Sequence, residues 1–477
     1  MKVLLILPEL FLLFGVLLLL NLSVAGVGGA KARMAALLIA IGTVVLTVFC
    51  LNQEGTIFFG AYKVDFFSQI IKLILSLALV AVLVIGWELK DIRHQIRPEY
   101  YMFMLCSVSG LMMMISSAEL LTMFIALELS SYCLYLMVPM RDDRQGLRVQ
   151  MEAAIKYVIF GVVASGIMLF GMSYLFAMTG STHFAVMIPA LTGMLDNPVV
   201  LVGIVMFMCG FFYKLAIFPF HFWVPDVYQG ASNETTTFIA TLPKIAAAAM
   251  LIKISTFAAS GPGVVSDTLV TLLIILAVVS MFYGNLSALV QTDLKRMLGF
   301  SGIAHAGFIL MGVLTLDVFG YAAALYYATG YVVISLACFL VICNVSRTGE
   351  NVRIEDMSGL YQRAPVAALI LAVGLFALAG IPPFVGFMGK FFLLTAALNQ
   401  GHLALVILAA LNAAIAIYYY LSVVRVAYTA EPGSRSVVSL NAATTTLGIV
   451  LVLMIIALGV FPGPALDVAT VAVRTLL

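Results

Sequence analysis

The chain has 477 residues, 64% of them hydrophobic and 10% charged, with a net charge of +2 and a mean hydropathy of +1.16. A water-soluble chain of this length keeps a charged and polar shell, so this composition excludes a soluble globule and points to a membrane protein. A charge this close to zero provides no bulk attraction to nucleic acid or to an acidic substrate.

A membrane span needs about 20 mainly apolar residues. Fourteen stretches meet that requirement: 3–23, 33–52, 68–88, 100–117, 120–139, 152–178, 198–222, 235–257, 265–289, 297–315, 319–344, 365–397, 403–428 and 441–462. The first is too long for a signal-peptide core and reads as a span. Basic residues fall in every second connection: Lys31 and Arg33; Lys90, Arg93 and Arg97; Arg141, Arg144 and Arg148; Lys295 and Arg296; Arg347, Arg353 and Arg363; Arg425 and Arg435. Only Lys2, Lys63 and Arg474 fall on the other side. The positive-inside rule then places both termini outside, on the periplasmic side of a bacterial inner membrane.

Six lysines remain inside spans: Lys72, Lys156, Lys214, Lys244, Lys253 and Lys390. A lysine at mid-membrane costs roughly 2.5–3.5 kcal/mol on insertion scales, so each needs a reason. Lys72 and Lys253 lie near the predicted outer ends of their spans, where snorkelling to the interface gives them a structural role. Lys156, in MEAAIKYVIFG, sits little more than one turn into its span; it either snorkels to the basic side or tunes the charges deeper in. Lys244, in TLPKIAAAAML, is about 13 Å from the start of its span at 1.5 Å per residue, and Lys390 is about 12 Å from the end of its own.

Glu128, in LTMFIALELSSYCLYLM, is a mid-span carboxylate that needs a partner, and Lys214 is the natural candidate. Burial disfavours the charge of an amine and a neighbouring carboxylate favours it, so such a pair can load and release a proton. The bland alternative is a static ion pair between two spans. His305, in SGIAHAGFILMG, titrates near neutrality without help and is a relay candidate. Glu119, at the start of its span, reads as interfacial. His221 and Trp223 are placed to line the cytoplasmic mouth. The tyrosines Tyr283, Tyr326, Tyr327 and Tyr418 to Tyr420 read first as packing.

Spans 4–8 and 9–13 read as two copies of a five-helix unit. The fourth helix of each has a proline break beside a lysine: Lys214 with Pro219, and Pro382 and Pro383 with Lys390. Proline frees a carbonyl one turn back. Five is odd, so the copies are inverted, and matched breaks in inverted repeats mark an ion path near the midplane. The expected organisation is a three-helix segment over 1–95, repeats over 96–260 and 261–430, and a C-terminal helix over 431–477. The six cysteines are scattered without metal-ligand spacing and read as packing thiols. No phosphate loop or hydrolytic triad appears.

The segments KLAIFPFHFWVPDVYQGA, LPKIAAAAML, QTDLKRMLGFSGIAHAGFILMG and ALAGIPPFVGFMGKFFL, in that order, resemble the proton-translocating membrane subunits of respiratory complex I and their Mrp antiporter relatives. The stretch 99–137 is most similar to the N-type subunits. The resemblance implies an all-α membrane fold of fourteen spans with two inverted five-helix repeats and discontinuous helices 7 and 12. It also implies key roles for Glu128, Lys214, Lys244 and Lys390, with Lys156 and His305 in a connecting polar axis. The implied reaction is NADH oxidation and quinone reduction coupled to outward proton pumping. NADH, FMN, iron–sulfur clusters and quinone would belong to partner subunits, none to this chain. The expected partners are other membrane subunits of one complex and the lipid bilayer, not nucleic acid. One departure stands out: where the family carries a VYEGAPTPV-like stretch, this chain has VYQGASNETTT, with Gln229 at the acidic position and Asn233–Glu234 replacing prolines. The competing readings are an Mrp-type cation/proton antiporter subunit, a subunit of a related hydrogenase or dehydrogenase, or a passive membrane anchor.

Overall fold

In a computed structural model, the described residues are 2–143, 146, 148–194, 197–259, 267–433, 435 and 437–476. Arg144, counted among the basic residues above, and the boundary at 260–261 lie outside them. The described residues are built into helices and one small hairpin. The first part contains α1 (Leu7–Val24), α2 (Gly29–Phe49), the hairpin β1 (Gly55–Ile57) and β2 (Tyr62–Val64), and α3 (Phe66–Ile85). Then come α4 (Arg97–Ser116), α5 (Leu120–Met137), α6 (Val149–Thr179), α7 (Phe184–Thr192), α8 (Pro198–Leu215), α9 (Trp223–Gly230) and α10 (Asn233–Ala259). The last part runs α11 (Asp267–Ala288), α12 (Leu294–Val313), α13 (Val318–Val345), α14 (Leu360–Arg363), α15 (Pro365–Ala379), α16 (Val385–Asn399), α17 (Leu403–Thr429), α18 (Ala442–Val460) and α19 (Pro462–Arg474).

Thirteen helices among the described residues are long and apolar enough to cross a membrane. The remaining predicted span, the twelfth at 365–397, is divided between α15 and α16, each too short to cross alone. Span 7 ends earlier than expected, at Leu215, because the chain turns left-handed at Ala216 (φ +66°). The hairpin, α7 and α19 have no counterpart in the reading of apolar runs. They are short or amphipathic, and a search for 20-residue runs passes over them.

Burial sorts the helices. The apolar window of α10 is 100% buried and those of α12 and α13 are 94% and 89% buried, whereas those of α6 and α17 are 33% buried. Helices α10, α12 and α13 therefore form the centre. The exposed residues of α6, including Ile155, Ile159 and Val163, form an apolar face suited to lipid or to a neighbouring subunit.

Helices α4 to α10 and α11 to α17 share a backbone pattern. Leu120 donates to the carbonyl of Thr182 and Phe184 to that of Ala118; Leu294 donates to Val352 and Ile354 to Thr292 in the same way. A Cβ on Gly110 would meet Ser130 N and Ala126 O of α5, and one on Gly284 would meet Ala304 N and Phe300 O of α12. These helix pairs approach so closely that only glycine fits. The register equates Glu128 with Gly302. After α8, Ile217 donates to Phe212 O; after α15, Ile381 donates to Phe376 O. That register equates Lys214 with Leu378.

Basic side chains tie loops together at one end of the bundle. Arg141 binds Asp91 at 2.5 Å and the carbonyls of Gln229 and Gly349, Lys90 donates to Cys343 O and Ser346 O, and Arg33 donates to Trp87 O. Two of the expected structural lysines behave differently from each other. Lys253 donates to the carbonyls of Ile115 and Ser117, both at 2.8 Å, satisfying the C-terminal end of α4. Lys72 does not snorkel. It is fully buried and paired at 2.6 Å with Glu9 of α1, whose carboxylate also accepts from Tyr62 at 2.7 Å. Lys295, expected in a connection, is also fully buried and donates to Ala231 O at 2.8 Å.

Candidate functional site

The first cluster lies where α8 stops. Lys214 is on the last turn of α8, 3% exposed, and among the described residues its Nζ has no hydrogen-bond partner. Glu128, on the neighbouring helix α5, is buried and accepts from Ser165 Oγ of α6 at 2.5 Å. Among the described residues these two groups make no ion pair, so the expected direct contact is not formed. The helix end leaves carbonyls without an intrahelical partner. Trp223 Nε1 takes the Tyr213 carbonyl at 3.0 Å, and Tyr213 in turn donates to Tyr157 O at 2.8 Å. Trp223 stacks on Tyr157 at 4.6 Å, so the break is held by aromatic packing. His221 is not at an open mouth. It is fully buried within the break, packed 4.2 Å from the rings of Phe222 and Tyr283, with both ring nitrogens unpartnered among the described residues.

The second cluster is central. Lys244 of α10, immediately after Pro243, is 2% exposed and donates to Tyr331 OH of α13 at 3.3 Å. Its amine also lies 5.6 Å from the ring centroid of Tyr228. The Tyr331 ring is 5.0 Å from that of His305 on α12. His305 Nδ1 contacts Tyr327 OH at 2.5 Å and its Nε2 contacts Tyr420 OH of α17 at 3.0 Å; Tyr420 OH goes on to Ser301. A hydroxyl donates and accepts, and imidazole exchanges its proton between two nitrogens, so the hydrogen bonds from Tyr327 through His305 and Tyr420 to Ser301 are of a kind that can pass a proton, whereas Tyr331 meets His305 only through its ring.

Lys390 of α16 forms the third cluster. Its amine crosses the break to donate to Leu378 O at 2.9 Å and Ala379 O at 3.0 Å, the last carbonyls of α15. A cation there meets the negative end of the helix dipole. Gly380 (φ +85°) makes the approach possible, because a Cβ there would fall 3.0 Å from Lys390 Cδ. The seam between His305, Tyr327, Tyr331, Leu378 and Gly386 leads from the second cluster towards the third, and its free space is too narrow to centre a water molecule.

Lys156 stands apart from these clusters. It is 38% exposed and bridges Glu152 and Asp226, each at 2.7 Å, while Asp226 also holds Arg296 at 2.6 Å. Sequence reasoning missed Asp226, Ser165 and Tyr331. Asp226 carries a legible signal, an acid immediately after the proline break in FWVPD. Ser165 and Tyr331 carry none, since each is one small or aromatic residue in a long apolar helix. Among the described residues no group of His, Cys, Asp and Glu could hold a metal ion.

Comparison with known proteins agrees with this architecture. Residues 117–416 match the family described as NADH:quinone oxidoreductase/Mrp antiporter, TM. The chain is 48% identical to NADH-quinone oxidoreductase subunit N 2 of Opitutus terrae over 98% of each chain, and 43% identical to the protein of that name from Solidesulfovibrio magneticus over 99% of each. Among solved structures it is similar to a chain of respiratory complex I from Thermus thermophilus, at 27% identity with a TM-score of 0.83, covering 97% of this chain and 99% of that one. It shares the fold of a chain of the Mrp complex from Dietzia, with a TM-score of 0.85 at 18% identity over 100% and 98% of the two chains. A predominantly helical membrane chain with relatives of this identity over nearly its whole length belongs to the NADH:quinone oxidoreductase/Mrp antiporter membrane-subunit family, among the subunit N proteins of complex I.

Proposed function

We propose that this chain is a proton-translocating subunit of a redox-driven pump, moving protons through Glu128, Lys214, Lys244, His305 and Lys390 while electrons pass from NADH to quinone in partner subunits. The observation that carries the reading is the buried row Lys244, Tyr331, His305 and Tyr420 at the centre of the bundle, hydrogen-bonded from Lys244 to Tyr331 and from His305 to Tyr420, with the Tyr331 and His305 rings in contact between the two bonds. Ionisable groups in a membrane interior are costly and mark ion paths. Static structural charges are paired, as Lys72 and Glu9 are, whereas the Lys214 amine has no hydrogen-bond partner among the described residues. In this proposal α4–α10 and α11–α17 are inverted units, each containing a half-channel, with α1–α3 and α18–α19 as additions. The basic end faces the cytoplasm and both termini lie outside. Lys156 acts through Asp226 at the cytoplasmic rim rather than in the deep path.

The test is proton uptake driven by NADH:quinone electron transfer in vesicles holding the assembled complex. Lys214→Ala and Glu128→Ala each reduce uptake by about 100-fold or more, the scale of losing a positioned proton-transfer group, with assembly retained. Normal uptake in a fully assembled Lys214→Ala complex would favour the passive anchor.

A further inference from the structure

Glu234 is the second residue of α10 and takes no part in the series above. It is 4% exposed, and its Oε2 has no hydrogen-bond partner among the described residues. Its stem packs on Gly86 at the end of α3, where a Cβ would fall 3.1 Å from Glu234 Cγ. It lines a cavity of about 330 Å³ at the basic end, together with Glu88, Lys90, Cys343, Arg347 and Asn441. At about 30 Å³ per water, that space holds on the order of ten waters. A buried carboxylate with a free oxygen at the floor of a wet cavity is a place where a proton can be taken up.

The spacing along α10 gives that proton a direction. Glu234, Thr237, Thr241 and Lys244 recur at intervals of three, four and three residues, which places them on one face of the helix. All four are at most 4% exposed. The two threonine hydroxyls donate to Asn233 O at 2.8 Å and Thr237 O at 2.7 Å, and each oxygen retains acceptor capacity, with Thr237 Oγ1 also 3.7 Å from Cys343 Sγ. The stripe spans ten residues, about 15 Å at 1.5 Å per residue, and ends at the amine of the central cluster. The neutral Gln229 a few residues earlier is engaged differently. Its carbonyl is held by Arg141 and Asn351 and its Oε1 by Arg296.

We propose that Glu234 is the proton-loading carboxylate for Lys244, collecting a proton from water in the basic-end cavity and delivering it along the Thr237–Thr241 face of α10. The transfer converts the Glu234 carboxylic acid and the Lys244 amine into carboxylate and ammonium, with water between the hydroxyls as carrier. This deepens the proton-translocation reading above and rests on it.

The experiment measures redox-driven proton uptake per electron in vesicles holding the complete complex, for Glu234→Gln, Glu234→Asp, Thr241→Val and Lys244→Met, with assembly checked by the yield of intact complex. Glu234→Gln is expected to lower uptake several-fold and to flatten its dependence on pH at the basic face. Glu234→Asp restores at least half, and Thr241→Val, which keeps shape and removes one hydroxyl, gives an intermediate loss. If Lys244→Met abolishes uptake while Glu234→Gln and Thr241→Val match the parent, the loading role is overturned and the translocation reading stands. If Lys244→Met also matches the parent, the translocation reading itself falls. If Glu234→Gln fails to assemble, Thr241→Val decides: parental uptake overturns the proposal.

Discussion

Helix α5 of the first unit and helix α12 of the second occupy equivalent places, yet one carries Glu128 and the other has Gly302 at that position. The consequence is spatial. A Cβ on Gly302 would fall within 2.4 Å of Lys244 Nζ and 2.9 Å of Tyr331 OH, so the central lysine occupies the space that the side chain of Glu128 fills in the first unit. The helix breaks differ in the same manner. In the first unit the lysine is on the helix before the break, as Lys214. In the second that position is Leu378, and Lys390 reaches back from beyond the break to the carbonyl of that residue. Backbone and glycine contacts set where a charge can sit, and the choice of residue sets which charge it is. In the proposed route, the two helix sets with this shared backbone pattern would serve as two different stations.

A related contrast separates these lysines from Lys72, and breaking it has the largest expected effect. Lys72→Ala would leave Glu9 buried and unpaired, which typically costs about 3–5 kcal/mol. We expect the thermal midpoint of the purified complex to fall clearly, and Glu9→Leu combined with Lys72→Met to recover most of it. Lys214→Ala removes no direct partner and should leave that midpoint nearly unchanged.

The Gly302 contrast can be sharpened directly. Gly302→Ala meets the movable end of a lysine rather than backbone, so the fold is retained while the Lys244 amine is displaced from Tyr331. Redox-driven uptake should fall by about tenfold, as for a misplaced proton-transfer group. Unchanged uptake would show that the position of this amine is not critical. A smaller effect is expected on the first unit. Ser165→Ala removes the hydroxyl that holds Glu128, worth about 1.5–3 kcal/mol if the carboxylate is charged, and should lower uptake without impairing assembly.

The smallest effect concerns the loop after α13. Burial works against the charge of Glu350, but the amides of Arg347 and Thr348 and the Thr348 hydroxyl, all at 2.8 Å, outweigh it and hold the carboxyl down at about 2. A folded value below the unfolded one means that its contribution is present above the ordinary carboxylate range and is lost as pH falls towards 2. Hydrogen exchange at the Arg347 and Thr348 amides, corrected for intrinsic rate, should show strong protection at pH 6 and weaker protection at pH 3.

Much of this was readable along the chain. Apolar runs located the spans to within a few residues, because a bilayer imposes one length on every crossing. Lys214, Lys244 and Lys390 stood out because lysine is rare in such runs. Partners were harder. Glu9 and Lys72 are 63 residues apart, and nothing local links them; Lys295 looked like a loop residue because Arg296 follows it, yet it is fully buried. Lys156, little more than one turn into its span, reads equally as a snorkelling residue or as one that tunes the deeper charges; its partner Asp226 is brought near only by the return of the chain after the α8 break. Such contacts depend on how helices are arranged about one another, which periodicity does not encode.

The central claim is that the buried amines and imidazole carry protons, and Lys244→Met tests it most directly, since it keeps the bulk and apolar stem and removes the charge. The account predicts an assembled complex that still reduces quinone but takes up almost no protons, a fall of about 100-fold or more per electron, as for loss of an obligatory proton carrier. A parental proton-to-electron ratio in that variant would contradict it.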